Sequence, residues 1–95
     1  MNSYELTVIL RNKDLDALKG KLSNILAKHS ISIVKDEPWG MRKLSYMVDG
    51  ENEGYYSFMI VESPPDSVRK VISEFRLNSD ILRYLFVKMD MRKAS

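Results

Sequence analysis

Tyr4-Glu5-Leu6-Thr7-Val8-Ile9-Leu10 is followed, after the polar step Arg11-Asn12-Lys13-Asp14, by Leu15, Leu18, Leu22, Ile25 and Leu26, and the change of period between the two runs decides the fold. In the first run apolar side chains recur at every second residue, which puts Tyr4, Leu6, Val8 and Leu10 on one side of a β-strand. In the second they recur at three- and four-residue steps, the stripe of an amphipathic helix, with Asn12 or Asp14 available as its N-cap. Gly20 lies inside the stripe and weakens the helix slightly.

Working outward, Ile31-Ser32-Ile33-Val34-Lys35 opens a second extended segment, and Leu44, Tyr46 and Val48 carry an alternating pattern past Pro38-Trp39-Gly40. Proline has no N–H for a ladder, so a bulge or an edge position is expected at Pro38. The polar, glycine-flanked stretch Asp49-Gly50-Glu51-Asn52-Glu53-Gly54 is expected to turn the chain into a strand from Tyr55 to Glu62. Ser63, with Pro64 and Pro65 after it and Asp66 three residues on, is the expected cap of a second helix that buries Val68, Val71, Ile72 and Phe75. Asn78 is the expected left-handed stop, and Ile81 to Met89 reads as the last strand. The order β-α-β-β-α-β with right-handed crossovers predicts an α+β, ferredoxin-like domain: a four-stranded antiparallel sheet with two helices on one face.

A chain of 95 residues has room for one domain, here 1–95 with a short basic tail from about residue 90. Apolar residues at 44% and charged residues at 29% belong to the globular range and exclude a disordered chain. The absence of cysteine excludes disulfides, thiolate nucleophiles and cysteine-based zinc sites, and suits a reducing compartment. No run approaches the ~20 apolar residues of a membrane span, and the alternating N-terminus does not read as a signal peptide, so the cytoplasm is the expected location. Net charge is only +2, but residues 81–95 hold Arg83, Lys88, Arg92 and Lys93 against Asp90, while the remainder is near neutral.

Chemistry that needs converging titratable groups finds little support. The single histidine, His29, follows the first helical stripe, where an imidazole favours the dipole of a helix end, and no second histidine accompanies it. Asp14, Asp16, Asp36, Glu37, Glu51 and Glu53 fall in first turns or loops, where capping and solubility explain them. The four glycines are scattered and no serine sits in a nucleophile elbow. No catalytic residue, metal ligand or cofactor is expected.

Two stretches suit RNA, which is bound through phosphate by basic groups on a rigid surface. In Gly40-Met41-Arg42-Lys43-Leu44-Ser45-Tyr46 adjacent cations project to opposite faces of a strand, leaving one free for phosphate; the competing reading is an edge strand guarded by charge. From Arg83 to Lys93, Arg83, Lys88, Arg92 and Lys93 form a prospective stripe, against the alternative of a solvated tail. Arg76, at the end of the second helix, is a further candidate that competes with a capping role. Recognition by stacked bases is disfavoured: Glu53-Gly54-Tyr55-Tyr56-Ser57-Phe58-Met59-Ile60 keeps the glycine and first aromatic of the RNA-recognition motif, but opens on an acid and has serine and isoleucine at later aromatic positions. Met41, Met47, Tyr55 and Met59 are expected to form an adaptable protein-binding patch on the sheet face away from the helices.

The Tyr4-Glu5 opening, Trp39-Gly40-x-Arg42-x-Leu44-x-Tyr46, Gly54-Tyr55-Tyr56, and Phe75-Arg76-Leu77-Asn78 through Ile81-Leu82-Arg83 together resemble the family of the sixth protein of the bacterial small ribosomal subunit, in order and spacing, over positions 4 to about 89. The resemblance implies a non-catalytic component that binds small-subunit ribosomal RNA at a helical junction together with the eighteenth protein of that subunit. It aligns Arg42 with the family arginine after the Trp-Gly pair, Arg76 with the one ending the second helix, and Arg83 with the one opening the last strand. Asn2 and Met41 stand where members often or sometimes carry arginine, and many members extend well past the last strand with a charged tail, whereas this sequence stops at Ser95, so that any partner contact made by such a tail is expected to be shortened or absent. The competing class is a ferredoxin-like regulatory or ligand-binding domain that acts as an oligomer through its open sheet face.

Overall fold

The computed structural model describes residues 1–89; Arg92 and Lys93, with the rest of the expected tail, lie outside them. Its elements run β1 (Asn2–Leu10), α1 (Leu15–Lys28), β2 (Ser32–Val48), β3 (Glu51–Ser63), α2 (Ser67–Leu77) and β4 (Ile81–Lys88). The strands form one sheet in the order β2-β3-β1-β4, and every neighbouring pair is antiparallel. This is the expected β-α-β-β-α-β arrangement.

The alternation of β1 sets the layers. Leu6, Val8 and Leu10 are buried and face Met59, Ser57 and Tyr55 across the β3 ladder, with Phe86, Tyr84 and Ile81 opposite on β4. Leu18, Leu22 and Leu26 of α1 and Val71 and Phe75 of α2 close the same cluster, so both helices lie on one face. Phe75, 1% exposed, packs its ring beside Tyr84 and Phe86 at centroid distances of 5.5 and 6.2 Å. Val68 and Ile72 are half-buried at the margin.

Several boundaries depart from the sequence reading, each for a local reason. Asp49 and Gly50, with φ of 50° and 80°, make a two-residue turn between paired Val48 and Glu51, so β3 begins at Glu51 and the polar stretch is mostly strand. Ser63 does not cap α2: it pairs with Asn2 in the ladder, its hydroxyl donates to the Pro64 carbonyl, and Asp66 takes the N-cap position. Asp14, one of the two expected caps, does hold the N-cap position of α1, but in a left-handed conformation and with no side-chain bond to the helix. Asn78 is extended rather than left-handed, its Oδ1 accepting from the Asp80 N–H in a turn that leads directly into β4. Pro38 sits where β2, an edge strand, shifts register between Pro38 and Gly40, so both expected accommodations occur together.

His29 ends α1, where its Nε2 meets Glu74 Oε2 on α2 while Lys28 Nζ reaches Glu74 Oε1 at 3.2 Å. The bond to His29, then that to Lys28, holds the Glu74 carboxyl below its usual value. A carboxyl whose pKa falls on folding stabilises the fold above its unfolded value, about 4.3, and loses that contribution as pH drops through the depressed folded value. The Glu74→Gln chain is therefore expected to be less stable than wild type at pH 6, with the two denaturation midpoints converging as the pH is lowered to 3. Parallel midpoints across that range would show that the pair does not link the helices.

Candidate nucleic-acid and partner interface

Because Tyr55, Ser57, Met59 and Val61 of β3 point to the helices, Gly54, Tyr56, Phe58 and Ile60 point to the other face. Ladder partners share a side, so Glu5, Thr7 and Ile9 of β1 join them, and with these Val87, Leu85 and Arg83 of β4. Gly54 is required here, since a Cβ at this position would collide with the Ile9 side chain. The outer face is thus strongly apolar although no helix covers it, and Leu85 and Val87 are 58% and 44% exposed. Contiguous apolar surface of this kind marks an interaction site.

From Trp39 onward β2 adds the rest. The Trp39 indole lies flat on Phe58, with centroids 5.1 Å apart and planes 4° from parallel. Arg42, opposite Gly54 in the ladder, places its guanidinium 5.8 Å from the Trp39 ring centroid. The ladder is then interrupted between Lys43 and Val48, and the intervening segment brings Tyr46 within 5.9 Å of the Arg83 guanidinium. Since β2 and β4 are opposite edges of the sheet, this segment reaches over the outer face. Thr7, Ile9, Tyr56 and Leu85 on one side and Leu44, Tyr46 and Val48 on the other line a half-open cavity of about 350 Å³, with Arg83 in its lining.

Arg42 and Arg83 therefore share one face, each guanidinium held against an aromatic ring and still solvent-exposed. The other expected cations disperse. Lys43 sits opposite Glu53, on the helix side of the ladder. Lys88, opposite Tyr4, also shares the helix side, so Arg83 and Lys88 form no single stripe: five residues apart on a strand, they point in opposite directions. Arg76 donates from Nε to the Tyr84 hydroxyl at 3.3 Å instead of capping carbonyls.

The expected methionine–tyrosine patch is corrected by the phase of β3. Tyr55 and Met59, 9% and 2% exposed, belong to the core, and the Tyr55 ring is covered by the Lys19 ammonium 4.4 Å from its centroid. Met41 faces Tyr55 across the ladder and shares the helix side, while Met47 is exposed in the interrupted segment. The outer face is built instead from Ile9, Trp39, Tyr56, Phe58, Ile60 and Leu85. The signal for it was the nearly unbroken apolar run Tyr55 to Val61, which reads as a strand covered on both sides. Among the described residues no three His, Cys, Asp or Glu side chains gather as a metal site, and no helix is long and apolar enough to cross a membrane.

Comparison with known proteins adds a second line. The family model for ribosomal protein S6 matches residues 3–88. Among curated proteins, the small ribosomal subunit protein bS6 of Ehrlichia chaffeensis is 35% identical over 94 residues, covering 95% of this chain and 86% of its own length. That of Leptospira biflexa is 31% identical over 88 residues, covering 93% and 97%. Among solved structures, the 30S ribosomal protein S6 of Thermotoga maritima superposes with a TM-score of 0.86 at 22% identity, over 98% of this chain and 92% of that one, a likeness of fold.

Proposed function

Because the chain belongs to the ribosomal protein S6 family, a structural and non-enzymatic constituent of the small ribosomal subunit acting with the ribosome in the cytoplasm, we propose that it binds small-subunit ribosomal RNA jointly with the eighteenth protein of that subunit, and that the outer sheet face is where both are met. The observation that supports this reading is the mixed character of that face: an apolar surface that no helix covers, half-buried at Ile9, Tyr56, Phe58 and Ile60 and exposed at Leu85 and Val87, edged by Arg42 and Arg83, each set beside an aromatic ring. The apolar centre suits a protein partner, and the two guanidiniums suit phosphate, which charged donors bind as positioning contacts without reading sequence. Lys43, Arg76 and Lys88 are assigned secondary phosphate contacts at the periphery, as are Arg92 and Lys93, which lie outside the described residues. Of the methionines expected to meet the partner, Met47 alone is proposed to retain that role, beside the cavity.

The test is binding to a ribosomal RNA junction fragment across a salt series, with and without the eighteenth protein. Affinity that needs the partner and falls with salt supports the reading; stable self-association with no RNA affinity overturns it in favour of an oligomeric regulatory domain. Leu85→Lys separates the two partners. Leu85 is exposed, so the fold tolerates the change, yet a lysine buried under a partner loses the ~1.5–3 kcal/mol of apolar burial, and affinity for the eighteenth protein is expected to fall about 10- to 100-fold. Unchanged affinity in a pull-down titration would place the partner elsewhere.

A further inference from the structure

Arg11 makes the densest set of polar contacts on the described chain. It stands just past β1, and its guanidinium donates to Glu51 Oε2 and Asp49 Oδ2, each at 2.5 Å, and to the Ser79 carbonyl at 3.1 Å, while Nε lies 3.6 Å from Asp80 Oδ1. Its backbone N–H also donates to the Asp80 carbonyl at 2.8 Å. One side chain, 19% exposed, thus joins the turn of the β2–β3 hairpin to the end of β1 and to the α2–β4 connection. Burial works against the charge of Arg11, but the bonds to Glu51 and Asp49 outweigh it.

The hairpin tip needs such a tie. Ladder pairing lapses between Lys43 and Val48, so residues 44–47 are not held by β3 through a continuous ladder, and the three carboxylates of Asp49, Glu51 and Asp80 would repel one another without a cation between them. Arg11 supplies that cation, and its planar fork serves several oxygens at once, which an ammonium on a flexible stem does not. What the tie fixes is the segment carrying Leu44, Tyr46 and Val48, the wall of the cavity over Thr7, Ile9 and Leu85.

We propose that Arg11 is a positioning residue for the partner-binding face: by clamping the hairpin tip it sets the gap between Tyr46 and Leu85 into which an apolar side chain of the protein partner seats. The inference rests on the partner reading above. Arg11 touches neither partner; it acts through the hairpin.

The experiment compares wild type, Arg11→Gln and Arg11→Lys in two measurements, both made well below the melting temperature of each chain. In amide hydrogen exchange, Arg11→Gln is expected to accelerate residues 44–53 at least 10-fold with β1 amides unchanged, and Arg11→Lys to fall between. In titration with the eighteenth small-subunit protein of the same genome, Arg11→Gln is expected to bind at least 10-fold more weakly, again with Arg11→Lys between. A merely structural role predicts faster exchange throughout the sheet and unchanged affinity, and that result overturns the inference. Exchange of residues 44–53 equal to wild type also overturns it. If the wild type itself fails to bind the eighteenth protein, the functional reading falls and the positioning role falls with it; if the wild type binds and Arg11→Gln binds within twofold, the inference alone is overturned.

Discussion

Replacing Arg42 and Arg83 together by alanine is expected to weaken binding to the ribosomal RNA fragment roughly 100- to 10,000-fold at moderate salt and to flatten the dependence of log affinity on log salt by about 2, one unit for each lost phosphate contact. The size follows from charge-assisted hydrogen bonds, worth ~1.5–3 kcal/mol each when both groups are held in place. Holding is what distinguishes these two side chains. A free surface arginine loses much of its gain to rotamer entropy, whereas Arg42 is laid over Trp39, itself stacked on Phe58, and Arg83 over Tyr46. Arg76→Ala is the comparison, because that side chain is engaged with the Tyr84 hydroxyl and faces the helix side. Its expected loss is less than threefold with the slope unchanged. Circular dichroism should be the same for all three chains, since both outer arginines are exposed. Equal losses for the double variant and for Arg76→Ala would mean that net charge, not the outer face, attracts the RNA.

The sequence carried the architecture further than it carried the site, and the physical reason is the period of a strand. The alternation in β1 and the helical stripe of α1 each name their own buried side, because the opposite positions are largely polar: Glu5 and Thr7 in the strand, Lys19, Lys21 and Ser23 in the helix. From Tyr55 to Val61 almost every residue is apolar or aromatic, so the pattern announces a strand without saying which side meets the helices. A one-residue error of phase moves every side chain to the wrong face, and on that ambiguity the pattern allows Tyr55 and Met59 to point outward, where the structure buries them. The deciding facts are non-local: Leu6 opposite Met59 and Leu10 opposite Tyr55. The same holds for Arg42 and Arg83, forty-one positions apart in the chain and on opposite edge strands, which no local pattern brings to one surface. Local competition explains the smaller misses. Ser63 has the composition of a cap, but a ladder position opposite Asn2 was available to it, and the helix starts only after the two prolines have passed.

Phe75→Ala is expected to have the largest effect on stability, a loss of about 3–5 kcal/mol, the range for removing a fully buried aromatic ring when its surroundings cannot collapse into the space. Phe75 is 1% exposed, and its neighbours come from a helix and a strand that are each fixed by other contacts: Tyr84 and Phe86 are held in the β1 ladder opposite Val8 and Leu6, and Val71 lies one turn back on α2. The vacated volume therefore persists. For a domain with a total stability of order 5–15 kcal/mol, that is about a fifth or more of the whole, and for a chain of this size it lowers the melting midpoint by roughly 12–40 °C at ~4–8 °C per kcal/mol. Leu77→Ala, two residues on but 87% exposed, should change stability by less than ~0.5 kcal/mol, which separates burial from mere loss of apolar atoms in α2. The consequence reaches the outer face through β4. Tyr84 and Phe86 rest on Phe75 from one side of that strand, while Arg83 and Leu85 leave from the other. An edge strand with its inner side unsupported presents the outer pair less precisely, so the folded fraction of Phe75→Ala should also bind RNA and partner more weakly than wild type at 10 °C, where it remains folded. A denaturation midpoint within ~1 kcal/mol of wild type would mean that β4 is seated by its ladder alone, and that the core does not govern how Arg83 and Leu85 are displayed.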